Sequence, residues 1–288
     1  MKIKSYAKIN LGLYVQGKRP DGYHNICTAF QTIDLFDILR LETMAKNAIL
    51  LVGDDDTIPW GEENLIYRAA VHLKPYRREP KGVKIHVEKR IPAGKGLGGG
   101  SSNAAVTLLA LNELWELGLD INILREMGRK LGADVPYFLT GGLCLGTERG
   151  DIIRPLDELS ECFGVLVMPE IFISTADVYG NAGKSLTSKG NGSKMIKFLA
   201  GRHFHLLENE LEETVFDIHP PLKEIKFLLL RLGAELSLVS GSGSAVFGLF
   251  PDKERAEAAA ERIKHRGRVR IIETVSRERY DIGLHTGV

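Results

Sequence analysis

The sequence predicts an α+β protein in two parts, residues 1–155 and 156–288, and three observations predict it. The first part opens on alternating, strand-like runs and turns helical immediately behind a glycine-rich loop. The second part mixes helices and strands in a compact α+β pattern. The length of 288 residues suits about two domains. With 44% hydrophobic and 26% charged residues, the chain has the composition of a globular enzyme that needs no staples to hold its core.

Residues 1–17 alternate as a strand, with Ile9, Leu11, Leu13 and Val15 on one face. Lys18-Arg19-Pro20-Asp21-Gly22 is a turn signal, because proline fixes φ and glycine supplies φ > 0. A second strand covers residues 26–42, and residues 54–59 form a loop. Asn64 stands where an N-cap belongs, ahead of a helical run to about Leu73. Residues 83–89 alternate again. Behind the glycine loop at 94–100, Ala104, Leu108, Leu111 and Trp115 line one apolar stripe of a helix that Gly118 ends. A second helix runs from about Asn122 to Leu131 and stops at Gly132, a residue suited to a left-handed C-terminal turn. Residues 141–146 read as a strand with close backbone approach and 163–168 as an apolar strand. Residues 181–202, rich in Gly, Ser, Lys and Asn, read as a loop. Pro220-Pro221 precedes a helix to about Arg231. Residues 235–250 form a strand, a glycine turn and a strand; 253–265 a charged helix; 268–275 a last strand.

A net charge of +1 gives no global field to recruit nucleic acid or an anionic membrane. The three cysteines, Cys27, Cys144 and Cys162, are odd in number and widely spaced, which fits neither a disulfide framework nor a zinc site. No apolar segment follows the first residues as in a signal peptide, and no run approaches the roughly 18 apolar residues of a spanning helix. The expectation is a cytoplasmic protein with no membrane partner and no nucleic-acid partner, a monomer or homodimer.

The chemistry concentrates at Pro92-Ala93-Gly94-Lys95-Gly96-Leu97-Gly98-Gly99-Gly100-Ser101-Ser102, where residues 94–100 hold five glycines. Glycine lets main-chain amides close on an anion, and the helix N-terminus behind adds orphan N–H groups and partial positive charge, so the segment predicts a polyphosphate site. Ser101 and Ser102 either cap the helix or bind phosphate or magnesium. The dinucleotide fingerprint matches at Gly94, Gly96 and Gly99, but a second helix follows where that fold needs a strand. The P-loop pattern fails as well, since Gly100 stands where its lysine belongs. Protein-kinase signatures are absent.

This loop resembles the central motif of the galactokinase, homoserine kinase, mevalonate kinase and phosphomevalonate kinase (GHMP) superfamily. Ala7-Lys8-Ile9-Asn10-Leu11 and Ser240-Gly241-Ser242-Gly243-Ser244-Ala245-Val246-Phe247 are similar to its other two motifs, in the same order and spacing. Lys18-Arg19-Pro20-Asp21-Gly22-Tyr23-His24 and Leu131-Gly132-Ala133-Asp134-Val135-Pro136-Tyr137-Phe138 resemble one branch, the 4-diphosphocytidyl-2-C-methyl-D-erythritol kinase family. The resemblance implies an N-terminal ribosomal protein S5 domain 2-like ATP-binding domain, a C-terminal ferredoxin-like α/β plait, and an active site in the cleft between them. It implies ATP and magnesium as cofactors and a small-molecule substrate with a cytidine diphosphate group.

It also sharpens residue roles. Asp134, just after a helix and before Pro136, becomes the catalytic base; on its own residues it reads more readily as a turn or capping aspartate. Lys8 becomes its partner, against the reading of an exposed strand lysine, and Asn10 falls on the same strand face to meet substrate hydroxyls. Tyr23 and His24 can stack on a pyrimidine and bond its edge, or be a turn tyrosine and a solvated histidine. By resemblance Tyr179 lies at the other face of the base and Arg149 borders it, although Ala176 departs from a proline in the family's pattern. Asn64 and Lys89 would sit near the adenine, Lys89 through its backbone, so its side chain should be replaceable. No magnesium ligand is assigned, and His203-x-His205 lacks partners at metal spacing. The competing readings are another kinase of the superfamily, and a nucleotide-binding regulator that would have lost Asp134 or Lys8.

Overall fold

The computed structural model describes residues 1–182, 192–201 and 204–280. Two long strands, β1 (Lys2–Lys18) and β2 (His24–Met44), form an antiparallel hairpin on which the first half is built. Their register shifts at Tyr6/Ala7, Asn10/Gly12 and Val15/Gly17. Alternation along β1 predicts one apolar face and one wet face. In the fold both faces are covered: Ile9 and Leu11 are buried on one side, and Lys8 (3% exposed) and Asn10 (2%) on the other. Between Ser5 and Val15 the polar face of β1 therefore looks into the molecule, whereas Lys2, Lys4 and Gln16 stay exposed.

β3 (Ile49–Gly53) runs parallel to β4 (Gly82–Glu88), which pairs antiparallel with the end of β2. The sequence reading has no counterpart to β3, because a short continuous apolar run shows no alternation. α1 (Leu65–Leu73) begins at Asn64, whose Oδ1 accepts from Ile66 N at 2.9 Å, as its N-cap position predicts. α2 (Gly99–Leu114) ends four residues before Gly118, with α3 (Ile121–Leu131) beside it. The predicted stripe of Ala104, Leu108, Leu111 and Trp115 is buried, but so are Asn103 and Thr107, so α2 is enclosed on more than one face. Leu108 and Leu111 each contribute about 1.5–3 kcal/mol by leaving water. Gly132 closes α3 with φ 179°, an extended conformation open to any residue, which corrects the expected left-handed turn.

The short helix α4 (Val135–Phe138) leads to β5 (Leu143–Thr147) and β6 (Ile152–Pro155), a hairpin added to the other end of β2. The second half contains β7 (Phe163–Met168), α5 (Thr175–Asn181), α6 (Gly192–Gly201), α7 (Glu212–Ile218), α8 (Pro220–Arg231), β8 (Leu236–Val239), β9 (Val246–Phe250), α9 (Lys253–Ile263) and β10 (Arg268–Val275). Its strands lie in the order β10-β7-β9-β8, all antiparallel. That is the split β-α-β order of a ferredoxin-like plait. β10 continues into β2 through Thr274↔Ile33 and Val275↔Thr32, which joins the two sheets.

The loop expected over 181–202 needs correction. Residues 192–201 are helical, and Met195 and Phe198, three apart, are buried against the core. Gly, Ser and Lys around them hide this pair from a composition-based reading. Residues 183–191 and His203 lie outside the described residues, as does the side chain of His205. In the tail after Ser276, which carries no legible motif, the Tyr280 hydroxyl donates to Phe138 O at 2.7 Å and its ring meets Tyr6.

A buried polar network fixes the start of α2 to the sheet. The Asp37 carboxylate accepts from the amides of Arg90 (2.7 Å) and Ile91 (2.8 Å), from Asn103 Nδ2 (2.9 Å) and from the Lys89 ammonium. Asn103 Nδ2 also donates to Ser5 Oγ, which donates to Ser102 Oγ. The Lys89 and Asp37 side chains are almost wholly buried. Lys89 is thus not freely replaceable: without it a buried carboxylate loses its cation. Lys89→Ala is expected to destabilise the protein by about 3–5 kcal/mol, measured as a fall in the urea unfolding midpoint; an unchanged midpoint would show the pair to be dispensable.

Candidate active site

Two cavities meet at the glycine loop. One of about 740 Å³ is bounded by Lys8, Asn10, Asp134, Tyr23, His24 and Tyr179. The other, of about 380 Å³, is bounded by Trp60, Asn64, Lys89, Ser101 and the loop from Pro92 to Gly100. Gly96 and Gly98 line both, so the loop is the wall between them.

That wall is thin because its glycines cannot carry side chains. Gly96 has φ +73°, and a Cβ there would stand 2.0 Å from the carbonyl oxygen of Ser240. The second glycine turn, 240–244, therefore packs main chain to main chain against the first, and Ser240 Oγ donates to Gly96 O at 2.9 Å. Gly98, with φ +71°, is the N-cap of α2. Its Cβ would meet Phe138 at 2.7 Å and Lys8 Cγ at 3.1 Å. Because a glycine is the cap, neither serine caps the helix. Ser102 is fully buried against Ser5, a structural role rather than a place at the nucleotide. Ser101 faces the smaller cavity. The first intrahelical bond runs from Ser102 N to Gly98 O (2.8 Å), which leaves the amides of residues 99–101 ahead of the helical ladder, at the positive end of the helix.

The larger cavity holds the expected catalytic pair. Lys8 Nζ lies 3.3 Å from Asp134 Oδ2 and donates to Asn10 Oδ1 at 2.6 Å. Asn10 Nδ2 donates to Thr28 Oγ1, which donates to Gly12 O. Lys8 is therefore no surface lysine, and its main-chain N–H donates to Leu97 O at 3.0 Å, which ties it to the glycine loop. Asp134 occupies the N-cap position of α4 but makes no capping bond; its side chain, 32% exposed, faces the cavity. A half-open carboxylate beside a buried ammonium can accept a proton from a hydroxyl bound between them.

On the outer side, Tyr23 is 56% exposed on the loop after β1. Asp21 Oδ1 accepts its amide, and Arg19 Nε donates to Asp21. His24 stacks on Tyr179, with ring centroids 5.3 Å apart at 24°. Burial, helped by Lys18, holds the His24 pKa below its ordinary value, which favours the neutral ring. Burial and the nearby Asp134 carboxylate raise the Tyr179 phenol. The Arg149 guanidinium lies 5.2 Å over the Tyr23 ring and is gripped by buried Asp151 through Nη2 (2.6 Å) and Nε (3.2 Å).

The structure thus brings Lys8, Asp134, Asn10, Tyr23, His24, Tyr179 and Arg149 into one cavity, and Asn64, Lys89 and most of the glycine loop into the other. It takes Ser102 away, and it engages the Lys95 ammonium with main-chain carbonyls. Sequence reasoning missed Thr28 and Asp151, second partners of Asn10 and Arg149, which no local motif marks. It also missed Trp60, a lone aromatic in a polar loop, and Thr175, whose hydroxyl meets Ser242 Oγ at 2.8 Å.

Comparison with known proteins gives the family. Residues 64–142 match the GHMP kinases N terminal domain and residues 190–269 the GHMP kinases C terminal domain. A Bacillus cereus (strain AH187) 4-diphosphocytidyl-2-C-methyl-D-erythritol kinase is 43% identical over 257 residues, covering 88% of this chain and 89% of its own. The chain belongs to the 4-diphosphocytidyl-2-C-methyl-D-erythritol kinase family. A Bacillus anthracis (strain CDC 684 / NRRL 3495) member of the family is related to the same degree, 43% over 257 residues and the same shares of both chains. A crystal structure of 4-(cytidine 5'-diphospho)-2C-methyl-D-erythritol kinase superposes with a TM-score of 0.80 at 36% identity, covering 95% of this chain and 99% of that one. A homoserine kinase from Cytophaga hutchinsonii, at 18% identity and TM-score 0.73 over 96% of this chain and 95% of its own, shares the fold. The chain is an ATP-dependent small-molecule kinase of the GHMP type.

At Gly98 the left-handed backbone alone would cost a side chain roughly 1–2 kcal/mol, before its clash with Phe138 and Lys8. Gly98→Val is expected to weaken ADP binding and to lower turnover as well, because the new side chain displaces Lys8. Calorimetry with ADP and a steady-state assay check both; unchanged ADP affinity would count against the loop as the phosphate site.

Proposed function

We propose that this chain transfers the γ-phosphoryl group of ATP to the 2-hydroxyl of 4-diphosphocytidyl-2-C-methyl-D-erythritol, releasing ADP, in the non-mevalonate route to isoprenoid precursors. One observation carries the reading: two cavities share the wall of Gly96 and Gly98, and the Lys8–Asp134 pair stands against that wall on one side. The smaller cavity takes ATP, with its phosphates at residues 94–101 and its adenine toward Asn64 and the main chain of Lys89. The larger takes the acceptor, with the cytidine diphosphate group among Tyr23, His24, Tyr179 and Arg149.

Asp134 accepts the proton of the 2-hydroxyl as that oxygen bonds to the γ-phosphorus and the bond to the ADP oxygen breaks. Lys8 holds the Asp134 carboxylate in place and offsets charge on the moving phosphoryl group. Asn10, fixed by Thr28, aims Lys8 and can bond the acceptor's hydroxyls. Positioning and electrostatics do the work, and no covalent enzyme intermediate forms. The division near residue 155 then has a purpose. The first part supplies the phosphate loop and the catalytic pair, and the second supplies Tyr179 and the turn behind Gly96.

Among the described residues no group of three or more His, Cys, Asp or Glu could hold a metal ion. Magnesium would be carried mainly by substrate phosphates and water, with the Ser101 hydroxyl as the side-chain oxygen on the phosphate side of the wall. When bound, the ion would neutralise phosphate charge.

ADP release with magnesium-ATP and the cytidine substrate, with mevalonate and homoserine in parallel, tests the reading. Turnover with the cytidine compound alone is expected; turnover only with another alcohol would discard the branch. Asp134→Asn should lower kcat by about 10²–10⁴-fold and leave ADP affinity nearly unchanged, whereas near-normal kcat would remove Asp134 as the base.

A further inference from the structure

The glycine loop contains one cation, Lys95, which sequence reasoning groups with the nucleotide ligands. The fold puts it to another use. Its ammonium donates to Pro169 O at 2.8 Å, to Ile171 O at 2.6 Å and to Ser244 Oγ at 3.2 Å. An ammonium has three protons, so these acceptors occupy all of its donors. Ser244 Oγ in turn donates to Ile171 O at 2.5 Å, which closes the node. The main chain repeats the link, since Ala245 N donates to Lys95 O at 3.2 Å. Burial lowers the pKa of Lys95, and the nearby Glu170 opposes the shift without bonding to the ammonium.

The segment that Lys95 grips leads straight into the wall of the other cavity. Residues 169–171 are followed by Ser174, the N-cap of α5, and by Thr175 and Tyr179 within α5, both of which line the larger cavity. Thr175 is also joined to Ser242 in the second glycine turn. A continuous path of hydrogen bonds and a few covalent links therefore runs from the loop beside the smaller cavity to the aromatic wall of the larger one.

We propose that Lys95 is a positioning residue that sets the α5 wall of the acceptor cavity against the phosphate loop, and not a ligand of the nucleotide phosphates. This rests on the assignment of the smaller cavity to ATP and the larger to the cytidine group. A phosphate ligand on this loop would act on nucleotide affinity alone. A strut acts on the far cavity, even with no nucleotide bound.

The test is calorimetry on the full chain, with CDP as the probe of the larger cavity and ADP as the probe of the smaller, each titrated separately. Lys95→Ala is expected to lose about tenfold in CDP affinity, the scale of one charge-assisted hydrogen bond. Lys95→Arg should recover most of that loss, because a guanidinium can donate to the same carbonyls. Ser244→Ala should weaken CDP binding in the same direction, and adding it to Lys95→Ala should cost less than the sum of the two. Should Lys95→Ala fail to fold, Ser244→Ala and Lys95→Arg still decide, since a strut requires a loss in the first and near-normal CDP affinity in the second. Loss of ADP affinity with CDP affinity intact would make Lys95 a phosphate ligand and overturn the proposal, as would unchanged affinity for both. If the wild-type chain bound ADP but not CDP, the assignment of the larger cavity would fall first and the proposal with it.

Discussion

The site depends on two main-chain turns lying closer together than side chains permit. At Gly96 and Ser240 a single added carbon would sit inside a carbonyl oxygen. That proximity makes the glycine loop a partition with a cavity on each face instead of a surface loop. In the proposed reaction a phosphoryl group passes from one side of this partition to the other over a short distance, so the two reactants would meet it from opposite sides. Thickening the wall would separate them, even with every catalytic side chain in place.

Buried charge follows one rule throughout. Lys8, Asp37 and Asp151 are each largely enclosed, and each is met by several partners of fixed geometry. A buried ion is costly unless it is both paired and hydrogen-bonded. Here each cluster also holds an element of the site in place. Asp37 ties the start of α2 to the sheet, Asp151 aims Arg149, and Lys8 joins β1 to the glycine loop and to Asp134. These contacts stabilise the fold and orient the chemistry together.

Much of this was legible in the sequence where a signal is local. The N-cap at Asn64, the stripe of α2, the strand–turn–strand of 235–250 and the glycine loop each carry their cause within a few residues. The strand lysine, Lys8, was legible as a candidate only, because burial of the second face of β1 depends on α2, far along the chain. Partners distant in sequence were invisible for the same reason: Asp37 lies 52 residues from Lys89, and Ser244 lies 149 from Lys95. Ser101 and Ser102 looked equivalent, and only the helical rotation between neighbours separates the one facing the cavity from the one in the core. α6 was hidden by the Gly-, Ser-, Lys- and Asn-rich sequence that leads into it, although the spacing of Met195 and Phe198 was present to be read.

The shifts in register along β1 bear on which genetic changes this chain can absorb. Lys8 and Asn10 share a face only because the residues from Ala7 to Asn10 alternate without interruption, with a shift on either side. Deleting one codon inside that stretch would turn Lys8 or Asn10 toward the opposite, apolar face, and no choice of neighbouring residue would restore it. The hairpin can vary in composition over evolutionary time far more readily than in length. Insertions and deletions that survive in this lineage should fall in the loops remote from residues 7–10.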